Sequence, residues 1–276
     1  MAGQEFSVRF WGVRGSIPSP GPHTAVYGGN TPCIEITCGD RCLIFDAGSG
    51  IRALGNQIVE AARSQHLELF FTHCHYDHIE GLPFFAPLHS EQFNLTMWSG
   101  HRPEPDTRQM VEQYMLKPYF PVGPACFRAN VEYRELVPGG DIKLTGGIII
   151  RTTALTHPDG AVGYRIEFDG RSICYVTDTE HFPGRMDQNI LRFIKDSNIV
   201  IYDAAYDDDD FEKFTGYGHS TWQEGQRLCD AGNVGMYVAF HHRPSADDAR
   251  LKAIEKRLKS IRPASLLARE GLVLTA

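Results

Sequence analysis

Phe71–Gly81 reads Phe-Thr-His-Cys-His-Tyr-Asp-His-Ile-Glu-Gly. Within it, His73, His75, Asp77 and His78 form a His-x-His-x-Asp-His pattern. The stretch follows Leu67–Phe71, a short apolar run that reads as a buried strand. At the end of an extended segment, residues i and i+2 point the same way. His73 and His75 can therefore hold one metal ion. The chain then turns into a helix, which carries Asp77 and His78 to a neighbouring point. Asp77 opens that helix with Glu80 three residues on, a capping-box spacing. Cys74 faces the other side of the strand and is expected in the core. Imidazole with carboxylate suits zinc, with manganese or iron as alternatives.

The same arrangement recurs further along the chain. His157 follows the apolar run Ile148–Leu155, Asp178 follows Ser172–Val176, and Asp203 follows Ile199–Tyr202. His241 follows Met236–Phe240 and is itself followed by His242. Functional residues at the carboxyl ends of strands are the rule in α/β architectures. One histidine at a strand end would be unremarkable, whereas a repeated pattern points to a site.

Other segments supply the frame. Phe6–Trp11 reads as a strand, Gly12–Pro32 as a Gly/Pro-rich loop, and Cys33–Thr37 with Cys42–Asp46 as a hairpin around Gly39-Asp40. Helical periodicity covers Ile51–Arg63, Asp106–Leu116, Met186–Lys195, Thr221–Ala231 and Asp247–Ile261. Helices and strands alternate, but hairpins are mixed in. That combination predicts two mixed sheets with helices outside rather than a simple doubly wound sheet. The segment 103–140 fits the pattern least. It reads as an insertion over the site within one domain spanning 1–276, and its aromatics Tyr114, Tyr119, Phe120 and Phe127 read as a satellite hydrophobic cluster.

Composition bounds the function. The chain has 276 residues, a formal net charge of −7 and 42% hydrophobic residues. This is a globular composition with enough length for a full core. The negative balance argues against sequence-independent nucleic-acid binding, which needs a basic face. Seven cysteines are too sparse for a disulfide scaffold and odd in number, so they read as reduced thiols in a cytoplasmic protein. Neither a signal-peptide core nor an apolar run of membrane-spanning length is present, which predicts no membrane partner.

Further motifs extend the picture: Phe10–Gly21 (FWGVRGSIPSPG), Tyr27–Cys33 (YGGNTPC), Thr156–Gly160 (THPDG), Val176–Glu180 (VTDTE), Tyr202–Tyr206 (YDAAY), Gly218–Thr221 (GHST) and Phe240–Pro244 (FHHRP). Together with the His/Asp stretch, they span nearly the whole chain. The sequence resembles the metallo-β-lactamase-fold hydrolases of the phosphodiesterase branch, which includes ribonuclease Z and phosphoribosyl cyclic phosphate phosphodiesterase. The resemblance implies a four-layer αββα sandwich of two mixed sheets with outer helices. It implies two divalent ions, zinc foremost: His73, His75 and His157 on the first, Asp77, His78 and His241 on the second, and Asp178 bridging. His242 competes with His241, which is favoured as the first residue past the strand. His219 becomes the catalytic histidine, Asp203 its orienting carboxylate, and Asp77 a catalytic residue as well as a ligand.

The implied reaction is hydrolysis of a phosphodiester by a hydroxide shared between the ions, with His219 protonating the leaving alkoxide. In ribonuclease Z, an arm that grips transfer RNA lies between the third metal-binding His and the bridging Asp. Here His157 and Asp178 are 21 positions apart, room for one hairpin. A small phosphodiester, cyclic ones included, is therefore the expected substrate, and RNA a less favoured one. Glycines of the 12–21 loop would leave N–H groups to face phosphate, with Arg14, Asn30 and His242 as substrate-binding candidates. The alternatives are a ribonuclease Z-like endoribonuclease, a thioester or lactone hydrolase of the same fold, and a non-catalytic metal-binding sensor. Relatives often dimerise, so a homodimer is expected.

Overall fold

The computed structural model describes residues 4–61 and 65–276. Alternation of apolar residues builds the first sheet. β1 (Phe6–Gly12), β2 (Cys33–Cys38) and β3 (Arg41–Phe45) pair antiparallel, with Val8 opposite Ile36 and Ile36 opposite Leu43. β4 (His66–Phe70), β5 (Asn94–Ser99) and β6 (Asn130–Glu135) then add in parallel to β3. The second sheet begins with β7 (Asp141–Leu144), β8 (Ile148–Leu155), β9 (Ala161–Phe168) and β10 (Arg171–Val176), all antiparallel. It continues in parallel through β11 (Ile199–Asp203), β12 (Met236–Phe240) and β13 (Ser265–Leu267). β14 (Val273–Thr275) returns to the first sheet beside β1, so each sheet has seven strands.

The two sheets face each other across one apolar core that includes Phe10, Phe45 and Phe70 from the first and Tyr164, Ile166 and Phe240 from the second. Outside the first sheet, α1 (Ile51–Glu60) buries Ile51, Leu54 and Ile58 against Ile44 and Leu69. Outside the second, α4 (Gln188–Ile194), α5 (Trp222–Ala231) and α6 (Asp248–Ile261) bury Ile194, Leu228 and Leu258 against Val200 and Tyr237. Each such side chain contributes about 1.5–3 kcal/mol of transfer free energy. The result is the four-layer αββα sandwich of two mixed sheets.

α2 (Tyr76–Ile79) is a single turn after β4, and α3 (Thr107–Tyr114) follows β5 with a complete capping box from Asp106 and Gln109. The segment 103–140 is partly integral to the sandwich, because β6 is an edge strand of the first sheet; α3 is what lies over the site. The last residues of the helix predicted for Ile51–Arg63, Ala62 and Arg63, lie outside the described residues. All seven cysteines are free. Among the described residues, no helix is long and apolar enough to cross a membrane.

Candidate active site

The strands β4, β8, β10, β11 and β12 all end on one side of the sandwich, and the residues that follow them converge there. Donor atoms of His73, His75 and His157 lie within 4.8 Å of one another, as do those of Asp77, His78 and His241. Asp178 sits between the two groups: Oδ1 is 3.8 Å from His73 Nε2, 3.8 Å from His157 Nε2 and 3.4 Å from His241 Nε2. Its Oδ2 is 3.2 Å from His78 Nε2. All seven residues expected as ligands are thus brought together. The first sheet contributes four of them and the second contributes three.

Neighbouring groups fix the ring orientations. His78 Nδ1 donates to Asp46 Oδ2 at 2.8 Å, and His157 Nδ1 donates to the Gly218 carbonyl at 2.7 Å. Each ring therefore directs its Nε2 at the cluster. Burial draws the His73, His75 and His157 pKa values down, which keeps these imidazoles neutral. Burial also opposes charge on His78, yet Asp178, Asp77 and Asp46 outweigh it and push His78 well up. The centre of the cluster therefore calls for positive charge. His73 Nε2 is buried there without a hydrogen-bond partner. An orphaned lone pair aimed into a set of neutral imidazoles and carboxylates fits divalent metal ions.

Asp46 was not singled out from the sequence. It is fully buried, and it accepts from Thr72 N (2.7 Å), Thr72 Oγ1 (2.9 Å), Tyr175 Oη (2.9 Å) and His78. Its signal was the same one that marked Asp203, a carboxylate directly after an apolar strand. Glu180 was likewise missed. It accepts the N–H groups of Gly216 and Gly218, both at 2.8 Å, and so holds the turn that presents His219. Gly218 has φ +83, and a Cβ there would fall 2.2 Å from His157 Nδ1, so only glycine fits. Asp46, Asp178 and His241 are non-glycine residues at φ 61, 58 and 62. Such left-handed backbone concentrates at functional sites, where the surroundings over-determine it.

His219 stands beside the cluster, with Nδ1 2.9 Å from Asp203 Oδ2 and 3.7 Å from Asp178 Oδ1. Burial works against its charge. The charge and hydrogen bond of Asp203 outweigh that, aided by Asp178 and Asp77, and hold its pKa up at about 9. A cleft of about 510 Å³ opens onto His75, Asp77, Asp178 and His219. Its opposite wall is formed by Pro105, Met110, Gln113 and Tyr114.

Several expectations are corrected here. Asp77 does not cap α2; the N-cap is His75, without a side-chain bond. Its carboxylate instead accepts from Ser16 N at 2.7 Å and meets His241 Nε2 at 3.2 Å. His242 is buried away from the cluster, where Nε2 donates to the Ala268 carbonyl at 2.8 Å and burial lowers its pKa to about 3. His241 is the residue in the cluster, and His242 is not placed to bind substrate. Arg14 is fully buried and donates to the carbonyls of Gly28 (2.7 Å) and Ala246 (2.5 Å), so it braces loops and does not reach the cleft. Asn30 is committed to Glu270 and Ser49. The N–H groups of Val13, Arg14 and Gly15 bond to carbonyls of Asn30 and His242 instead of facing phosphate. Cys74 packs against the outer core of the first sheet as expected, but is only partly buried and also lines the cleft, 3.3 Å from His101 Nε2. Tyr114 lines the cleft too, while Phe120 and Phe127 pack against the outer core of the first sheet.

Comparisons with known proteins bear on the family and the fold. The Beta-lactamase superfamily domain profile matches residues 41–242. A ribonuclease Z of Bradyrhizobium diazoefficiens is 23% identical over 92% of this chain and 95% of its own length. The metallo-beta-lactamase fold protein YhfI from Bacillus subtilis superposes with a TM-score of 0.74 at 18% identity, covering 99% of this chain and 100% of that one. A diphosphatase from the PhnP family gives 0.71 at 16% identity, covering 98% and 97%. These two structural likenesses concern the fold.

Proposed function

Because the chain belongs to the beta-lactamase superfamily, we propose that it is a binuclear metal-dependent phosphodiesterase acting on a small phosphodiester. In this reading His73, His75 and His157 would hold one divalent ion and Asp77, His78 and His241 a second, with the Asp178 carboxylate placed between the two groups to serve both. Zinc suits the donor set best, with manganese or iron as alternatives. When bound, such ions supply Lewis acidity, lowering the pKa of water and neutralising phosphoryl oxygens.

The observation that carries the phosphodiester reading is the His219–Asp203 pair beside the cluster. An alkoxide leaving group is strongly basic and needs a proton as the P–O bond breaks. A thiolate, with a thiol pKa near 8.5, needs one far less. The imidazolium of His219, oriented through Nδ1 by Asp203, presents its other nitrogen as the donor. Proton transfer to the leaving oxygen leaves a neutral ring, which the next solvent proton restores. Asp77 lines the cleft and orients the attacking water. Asp46, Thr72 and Tyr175 keep His78 aimed while charge builds up.

A ribonuclease Z-like action on RNA is the second reading, supported by the name of the Bradyrhizobium relative. Against it, the span from His157 to Asp178 is occupied by the β9–β10 hairpin with a turn at Asp169-Gly170, leaving no arm. The test is a hydrolysis panel on metal-quantified protein: cyclic nucleotides, a 1,2-cyclic sugar phosphate, a linear dinucleotide, a thioester and a transfer RNA precursor. Turnover of the small phosphodiesters is expected. Cleavage of the thioester or of the RNA precursor alone would refute the proposal.

A further inference from the structure

Resting on the phosphodiesterase reading, we infer that the cleft selects a phosphodiester carrying one aromatic ring system of nucleobase size, held against Tyr76 and Tyr114. The cleft lining combines two kinds of side chain: Asp77, Asp178 and His219 are polar, whereas Tyr76, Ile79, Met110 and Tyr114 are aromatic or apolar. With the phosphorus at the polar residues, an ester substituent would meet the aromatic and apolar ones.

Tyr76 stands between two site residues, His75 and Asp77, yet is 75% exposed. An aromatic ring left open to water inside a functional cleft is a contact surface awaiting a partner. Its ring centroid is 6.3 Å from that of Tyr114, with the planes inclined by 51°. The two rings therefore form an open angle on which a flat group can lie. Tyr114 is anchored from behind by the outer core of the first sheet, so the platform is fixed before ligand arrives. Gln113 is exposed at the same wall and offers an amide donor and acceptor to the edge of a heterocycle.

What the wall lacks narrows the class. No Lys or Arg is among the residues lining the cleft. A second phosphate, as in a nucleoside diphosphate or a continuing RNA backbone, would have no cationic side chain to meet it. The volume of about 510 Å³ suits one nucleoside-sized group, not a chain. A quaternary ammonium ester would also favour aromatic faces, but Met110 and the neutral Gln113 complete a wall better matched to a stacked heterocycle.

The experiment uses the full-length, metal-quantified protein and phosphorus NMR. Adenosine 2′,3′-cyclic phosphate is compared with the 2,3-cyclic phosphate of methyl riboside, which lacks only the base, and with glycerophosphocholine. The nucleotide is expected to exceed the methyl riboside in kcat/KM by about 10- to 100-fold, the range of one aromatic stacking contact. Tyr76→Ala and Tyr114→Leu should each bring that ratio down severalfold, mainly through KM. The leucine keeps the apolar anchor of α3. Calorimetry should give the same order for adenosine 5′-monophosphate over ribose 5-phosphate. Equal rates with and without the base, a preference for the choline ester, or a ratio that survives both substitutions would overturn the inference. If none of the three esters were hydrolysed while calorimetry kept its order, the hydrolytic reading would fail and the ring subsite would stand.

Discussion

Two segments face each other across the cleft and are built on opposite principles. Thr72–Gly81 is held by polar groups: Thr72, His73 and His78 are buried and tied to each other and to Asp46, which Tyr175 also holds. Residues 101–120 rest mainly on the apolar anchors Met110, Val111 and Met115, with a cap at Asp106 and one buried polar tie, Thr107, to Ser99 and Arg134, while Leu116 and Tyr119 face solvent. A buried polar network fixes a single arrangement at high cost if any member is lost. A short helix on apolar anchors tolerates change. One side of the cleft is therefore built for chemistry and the other for selecting what reaches it.

The sharpest way to break that contrast lies at Asp178. Asp178→Ala should abolish turnover and leave fewer than two equivalents of metal on elemental analysis; full stoichiometry would show that it does not bridge. His219→Ala should keep its metal and lose about 10²–10⁴ in turnover. Loss of metal instead would make His219 a ligand. The same residue gives a pH signature. Against burial, the Asp203 carboxylate raises the His219 pKa above that of a free imidazole, so His219 loses its proton as pH rises and the rate should fall on the alkaline limb of the profile. Asp203→Asn removes the main raising charge while burial persists, and the limb should move to lower pH. Asp46→Asn touches no proposed ligand atom facing the cluster, yet should weaken metal affinity about 10- to 100-fold, measured by chelator competition. Across the cleft, Tyr119→Ser should change stability by less than about 0.5 kcal/mol, and α3 amides should exchange hydrogen faster than those of β4 and β10.

The sequence exposed the polar side of the cleft far better than the other. Ligands sit directly after apolar strands, so His157, Asp178 and His241 were readable from local pattern alone. Position favoured His241 over His242 as the first residue past β12, but the local pattern carried no reason for the second to turn away. The choice is made by backbone at φ 62 on His241 and by the Ala268 carbonyl that takes His242. Arg14 and Asn30 misled for a related reason. A Gly-rich loop with an Arg looks like a phosphate cradle, but their partners, Ala246 and Glu270, lie 232 and 240 residues further along the chain. Asp77 shows the same override: its spacing suits a helix cap, and His241, 164 residues away, claims its carboxylate instead. Local pattern finds groups with chemistry, and distant contacts decide where they point.

The division of donors between the sheets has a thermodynamic consequence. His73, His75, Asp77 and His78 belong to the first sheet, and His157, Asp178 and His241 to the second. A cation gripped by both is a clamp across the mouth of the sandwich, present only while the sheets are docked. Its binding free energy is therefore folding free energy as well: each tenfold rise of free ion above its dissociation constant adds about 1.4 kcal/mol to the folded state. On the proposed metal assignment, chelation should loosen the sandwich at the edge where the cleft opens, so one group would serve both catalysis and the closing of the frame.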